Sequence, residues 1–159
     1  MRTVIVGIGN DLRGDDGAGL AAARLLKHLR VSGLEVLEIG GDITDLLDTF
    51  SDCDVVVLID AVVSQNPPGT IHRLDASLDP LPVHYDRRST HGVGLSAIVE
   101  LARSQGRLPR SVYVYGIEAS SYEYGTDLSE PVLAAVKEVV VLVEEQVRAL
   151  CATNVKSGD

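Results

Sequence analysis

Apolar and polar positions divide the chain into short β-branched runs and longer helical ones. Residues 3–7 (Thr-Val-Ile-Val-Gly) read as a first strand, and the alanine-rich run 17–29 as a helix. Residues 34–39 alternate with period two and read as a second strand. Gly40-Gly41-Asp42 is a turn, with Asp42 or Thr44 as cap of a short helix through Phe50. Residues 54–60 are apolar almost throughout, the pattern of a central parallel strand covered on both faces. Asn66-Pro67-Pro68-Gly69 is a turn, and 70–74 a short strand at an edge. Residues 75–90, with Pro80 and Pro82, read as a long, flexible surface loop. An amphipathic helix over 91–104, a strand over 111–117 and a polar loop over 118–127 follow. Ser129 as cap and Pro131 in the first turn open a long helix over 128–150, and 151–159 reads as a frayed tail. Strands alternate with helices. The expected fold is therefore a three-layer α/β/α sandwich on a mainly parallel, twisted, five-stranded sheet, a single domain over 1–150.

Composition narrows the partners. The chain has 159 residues, 45% of them hydrophobic, enough for one real core. A net charge of -9 argues against nucleic acid, which needs a basic face, and suits a cation or a basic segment. The two cysteines, Cys53 and Cys151, form neither a metal-type pair nor a disulfide framework, so a reducing cytoplasm is the default location. Met1-Arg2-Thr3 enters a strand at once, without the pattern of a signal peptide. The most apolar helical run is interrupted by Lys137, Glu138, Glu144 and Glu145, so no membrane insertion is expected.

The candidate chemistry lies after the strands. Gly7-Ile8-Gly9 begins like a dinucleotide fingerprint, but the third glycine is missing and the loop carries Asp11, Asp15 and Asp16. Such a loop repels phosphate and attracts a cation. Asp15 and Asp16 fit a capped helix start as well as they fit a ligand. Only one of the two can face a crevice, and Asp16 is taken as that one. Asp60 ends the most apolar strand, where a carboxylate must be paired, hydrogen-bonded or metal-bound. His91 opens a helix, where a histidine also caps or packs. Doubly wound topology gathers such positions at one edge of the sheet. Asp16, Asp60 and His91 would then offer two carboxylates and an imidazole to a borderline divalent metal such as nickel or zinc. There is no Gly-x-Ser-x-Gly elbow and no cysteine nucleophile motif.

Several motifs resemble those of one family. Gly7-x-Gly9-Asn10-x-Leu12-x-x-Asp15-Asp16-Gly17-x-Gly19 opens the series, followed by Asp60-Ala61-Val62 and Pro68-Gly69-Thr70. Ser89-x-His91-x-x-Gly94-Leu95, Val114-x-Gly116-Ile117-Glu118 and Leu128-Ser129-x-Pro131-Val132 complete it. In order and spacing, over nearly the whole chain, these resemble the hydrogenase maturation proteases. That family clips the C-terminal extension from the large subunit of nickel–iron hydrogenases.

The resemblance implies a cytoplasmic endopeptidase acting on a large-subunit precursor after nickel insertion, cutting after a His or Arg beyond the last cysteine motif. It implies Asp16, Asp60 and His91 as both metal-binding and catalytic residues. The implied metal is divalent, nickel carried by the substrate, for which zinc or cadmium could substitute. The family is grouped by some as aspartic-type, which leaves a carboxylate and a metal-polarised water both open as activators. One departure concerns the turn after the second strand, Glu38-Ile39-Gly40-Gly41-Asp42, which has no threonine where the family often has one, so Glu38 loses its claim to a helper role. Two other readings are a nucleotide-binding Rossmann-type module and a non-catalytic chaperone of the hydrogenase precursor.

Overall fold

In the computed structural model the strands are β1 (Thr3–Ile8), β2 (Leu34–Ile39), β3 (Val55–Val62), β4 (Ile71–Asp75) and β5 (Ser111–Glu118). The helices are α1 (Ala18–Leu26), α2 (Leu46–Ser51), α3 (Leu95–Ser104) and α4 (Glu130–Lys156). The structure describes residues 1–85 and 93–156. The strand order is β2-β1-β3-β5-β4, parallel except for β4, which pairs antiparallel with β5 at the edge.

Strict side-chain alternation on near-continuous apolar strands builds two cores, one on each face of the sheet. Val56, Leu58 and Val62 of β3 pack with Leu46 and Phe50 of α2 and with Leu95, Ile98 and Ala102 of α3. Val57, Ile59 and Ala61 pack on the opposite face with Ala18, Ala22 and Leu26 of α1. There α4 contributes Val132, Val136, Val139, Val143 and Val147, a stripe at helical spacing that turns toward the sheet. The result is the three-layer α/β/α arrangement read from the sequence.

The opening glycines serve this packing. A Cβ on Gly7 would lie 2.2 Å from the Gly19 carbonyl oxygen, and one on Gly19 would lie 2.2 Å from that of Ile59. The first turn of α1 thus rests directly on the backbone of β1 and β3. The Gly-x-Gly pattern is explained by backbone contact alone, with no phosphate required.

Four local expectations change. The chain does not enter α1 at 17: Gly14–Gly17 forms a 3-10 turn first, and the helix starts at Ala18. The stretch after β4 is not simply a surface loop. Ala76, Leu81 and Tyr85 are buried, Arg103 of α3 donates to the carbonyls of Ala76 and Ser77, and Val83–Tyr85 is a 3-10 turn. Gly94 is extended, with φ -87° and ψ 167°, so α3 begins at Leu95 rather than 91. At the far end, α4 continues to Lys156, where residues past 150 were expected to fray. The remainder of the 75–90 loop, His91 and the last three residues lie outside the described residues.

Candidate functional site

The strand order reverses between β1 and β3. From β1 the chain goes to β2 on one side and to β3 on the other. Open α/β sheets bind ligands at such a switch point, beyond the carboxyl ends of the strands. A cleft opens there, lined by Gly9, Asn10, Arg13 and Asp16 after β1, by Gly40 to Ile43 after β2, and by Asp60 and Ala61 of β3. Tyr85, Val93, Gly94 and Leu95 close its far wall.

Register explains why Asp60 reaches it. Pairing of β1 with β3 ends at Gly7 and Ile59, whereas β3 continues beside β5 to Val62. Asp60 is therefore inside β3 rather than at its end, but past the last β1 partner, and it is half-buried. It sits on the same face as Val56, Leu58 and Val62.

Asp16 arrives by a tight return. Gly9 has φ +149°, and a Cβ there would lie 1.9 Å from the Asp16 carbonyl oxygen. Only glycine lets the chain leave β1 and pass so close to the 3-10 turn. The Asn10 N–H then donates to the Asp16 carbonyl at 3.2 Å, and the Asp16 N–H donates to Arg13 at 3.1 Å. The Asn10 side chain accepts from Leu12 N–H at 2.9 Å, closing the loop.

Asp15 points the other way. It is 1% exposed and accepts from Ser120 N–H (2.7 Å), Ser121 N–H (3.1 Å), Ser129 N–H (2.7 Å) and Ser129 Oγ (2.9 Å). With Asp16 assigned to the crevice, Asp15 was expected to cap the start of the first helix or to face water. Asp15 instead sits at the amino end of α4, where the helix dipole favours a negative charge. For the same reason Ser129 does not cap with its hydroxyl, which donates to Asp15. Its carbonyl accepts from Leu133 N–H at 2.8 Å.

Glu38 is committed as well. It bonds Arg24 at 2.7 Å and also Lys27 of the α1 C-terminal end, and these bonds, that of Lys27 first, hold its carboxyl below its ordinary range.

A second polar group flanks the cleft on β5 and β4. Glu118, 1% exposed, accepts from Ser64 N–H at 3.1 Å, from the Ser64 hydroxyl, and from His72 at 3.0 Å. Next to it is Tyr85, 5% exposed, whose hydroxyl has no hydrogen-bond partner among the described residues. Burial, then the charges of Asp60 and Glu118, push that phenol well above its usual pKa. Glu118 closes one of the quoted sequence motifs but carried no assigned role, and Tyr85 was not singled out from the sequence. The isolated glycine inside β5, Gly116, was the available signal, since a Cβ there would lie 2.4 Å from the Tyr85 hydroxyl.

Of the three residues expected to share a metal, Asp16 and Asp60 line one cleft, and His91 lies outside the described residues. Among the described residues no three His, Cys, Asp or Glu side chains are placed to hold an ion by themselves. Among the described residues that line it the cleft is acidic: Asp16, Asp42 and Asp60 share it with one guanidinium, that of Arg13, which leans on the Tyr124 ring at 5.1 Å. Two half-buried carboxylates on such a wall suit a cation that brings its remaining ligands with it. Among the described residues, no helix is long and apolar enough to cross a membrane.

Comparison with known proteins agrees with this architecture. Residues 20–146 match the family model described as hydrogenase maturation protease, HycI. The hydrogenase expression/formation protein HupD of Thiocapsa roseopersicina is 31% identical over 117 residues, covering 72% of this chain; the chain spans about half, 53%, of that relative's length. The hydrogenase 2 maturation protease of Escherichia coli is 26% identical over 160 residues, 99% of this chain and 95% of that one. Among solved structures, the hydrogenase maturating endopeptidase HybD of Escherichia coli superposes with a TM-score of 0.82 at 25% identity, covering 94% of this chain and 93% of its own. By fold, by the order of its strands around the cleft and by this match over most of its length, the chain belongs to the hydrogenase maturation protease family.

Proposed function

We propose that this protein is an endopeptidase that removes the C-terminal extension of a nickel–iron hydrogenase large-subunit precursor after nickel insertion. Asp16, Asp60 and His91 meet the nickel that the precursor carries. The observation behind this reading is the convergence of Asp16 and Asp60 on one acidic cleft at the switch point of the sheet. Val93 and Gly94, just beyond His91 in the chain, line the same cleft and support the imidazole as third donor.

The nickel is part of the substrate. Two carboxylates and one imidazole, with no thiolate, hold a free ion weakly, and cysteines of the precursor complete its coordination. Docking the metal then also places the scissile peptide, so that recognition and positioning are one event. Bound there, nickel polarises what it touches as a Lewis acid. The chain's own contribution is the acid–base work. A cleft carboxylate takes a proton from the attacking water as its oxygen bonds to the carbonyl carbon, and returns it to the amine as the C–N bond breaks.

A nucleotide-binding module is disfavoured by the same surface, because pyrophosphate would meet Asp16, Asp42 and Asp60. A non-catalytic chaperone is separated by experiment. The protein is incubated with nickel-loaded and nickel-free precursor, and intact masses are read over time. The nickel-loaded precursor should lose its extension and the nickel-free one should not. Equal cleavage of both would end the role of nickel, and binding without shortening would identify a chaperone.

A further inference from the structure

Arg13 is the feature that this reading leaves unused. It is the one cationic residue among the described residues that line the cleft, which also carries Asp16, Asp42 and Asp60. A guanidinium in such company is expected to fork onto a carboxylate. Among the described residues no ion pair joins Arg13 to any of the three, and its buried Nε has no hydrogen-bond partner.

The side chain is nevertheless held in place. Its guanidinium lies over the Tyr124 ring, 5.1 Å from the centroid. The residue before it is tied to the same loop, since Gly125 N–H donates to the Leu12 carbonyl at 2.9 Å. The residue after it, Gly14, has φ +55° and packs so closely that a Cβ would lie 2.6 Å from the Thr126 hydroxyl oxygen. The Arg13 carbonyl accepts from Asp16 N–H at 3.1 Å, so the cation stands at the head of the 3-10 turn that carries Asp16. Stacking occupies a face of the guanidinium and leaves its terminal N–H groups, in the plane, to an incoming acceptor.

Hydrolysis of a peptide creates such an acceptor. As the water oxygen bonds to the carbonyl carbon, the π electrons move onto the carbonyl oxygen, and they return as the C–N bond breaks. The acidic wall that suits a cation is hostile to that oxygen. A guanidinium stays protonated throughout, and one that is not paired with the carboxylates gives up no partner when the oxyanion forms.

We propose that Arg13 is a catalytic residue: its guanidinium donates hydrogen bonds to the scissile carbonyl oxygen of the precursor as that oxygen gains negative charge, with Tyr124 holding the cation in place. The proposal rests on the protease reading above, and the experiment tells the failure of one from the failure of the other.

The full chain is compared with Arg13→Ala, Tyr124→Phe and Tyr124→Ala in single-turnover shortening of nickel-loaded precursor, with the protein in excess. The plateau rate reports the bound complex, its dependence on protein concentration gives the affinity, and thermal melts report folding. Arg13→Ala should slow the bound complex about 10²-fold or more, while affinity changes less than about threefold and the melt stays that of the parent. Guanidinium ion, at a concentration that leaves the melt unchanged, should restore rate to Arg13→Ala and none to Asp16→Asn. Tyr124→Phe keeps the ring face and should match the parent, whereas Tyr124→Ala should be slower by about two- to fivefold. Arg13→Gln, which keeps the stem, repeats the comparison of rate and affinity if the alanine variant melts early. Shortening by Arg13→Ala at the parent rate would overturn the role of Arg13 and leave the protease reading intact. A loss of affinity that accounts for the whole loss of rate would also overturn it, making Arg13 a docking contact, as would a folded Arg13→Ala protein that guanidinium ion does not restore. A parent that shortens neither nickel-loaded nor nickel-free precursor would overturn the protease reading and the Arg13 role with it.

Discussion

Asp15 and Asp16 are neighbours in the chain and have opposite surroundings. Asp15 is sealed in the interior, and backbone N–H groups of Ser120, Ser121 and Ser129 converge on it. Asp16 is half-buried on an acidic wall opposite Asp60. The same contrast recurs across the sheet. Glu118 is buried and tied to Ser64 and His72, whereas Asp60, two residues along the paired strand register, lines the cleft. The difference between the members of each pair is where they face. Asp15 and Glu118 are buried among backbone and side-chain donors that hold the scaffold together, and Asp16 and Asp60 line the cleft.

The contrast breaks most visibly at the cleft. Asp16→Asn and Asp60→Asn keep shape and remove charge, so each should slow precursor cleavage by about 10³-fold or more while the unfolding midpoint stays near that of the parent. Initial rates and thermal melts measure both. A stable, active Asp16→Asn protein would remove it from the site.

Asp15→Ala should do the reverse. It leaves three backbone donors buried without an acceptor and should cost about 3 kcal/mol of stability. Chemical denaturation measures this. An Asp15→Ala protein as stable as the parent would exchange the roles of the two aspartates.

Glu38 sharpens the comparison at lower energy, since its partners are exposed cations. Glu38→Gln should cost at most about 1 kcal/mol. Its carboxyl is held below the ordinary 4.5, so its contribution is present above that value and fades as pH falls through the lowered one. The stability gap between parent and Glu38→Gln should therefore close in acid, as paired melts at neutral and acidic pH would record.

The smallest effect concerns Cys53. Burial pushes its thiol from 9.0 up to about 11, so it remains protonated near neutrality. Alkylation of the folded protein by iodoacetamide at neutral pH should be much slower at Cys53 than in the unfolded chain, as read by peptide mass. The stability this burial confers is complete below pH 9 and declines as pH rises toward 11.

The sheet was largely legible because its signals are local. Period-two alternation placed 34–39 to the residue, and the unbroken apolar run placed β3 within two residues at its far end. The shared cleft of Asp16 and Asp60 was legible by topology, since one follows β1 and the other stands near the carboxyl end of β3, on either side of the switch point. The rest depends on contacts between distant segments. Nothing near Asp15 announces that its acceptors serve Ser120 to Ser129, over a hundred residues away. A proline-containing polar stretch does not reveal that Leu81 and Tyr85 turn inward, because burial of single side chains from a loop has no period. Gly116 interrupts an otherwise apolar strand, but nothing in the sequence names Tyr85 as what lies against it.

The bonds between Asp15 and the start of α4 also order events during synthesis. The loop that carries Asp16 leaves the ribosome more than a hundred residues before Ser120, Ser121 and Ser129. Until they emerge, the interior place of Asp15 has no donors to fill it, and the carboxylate stays in water with the loop around it unset. The amino-terminal wall of the cleft is therefore completed only when the carboxyl-terminal helix docks, so an unfinished or truncated chain carries the motif without the site.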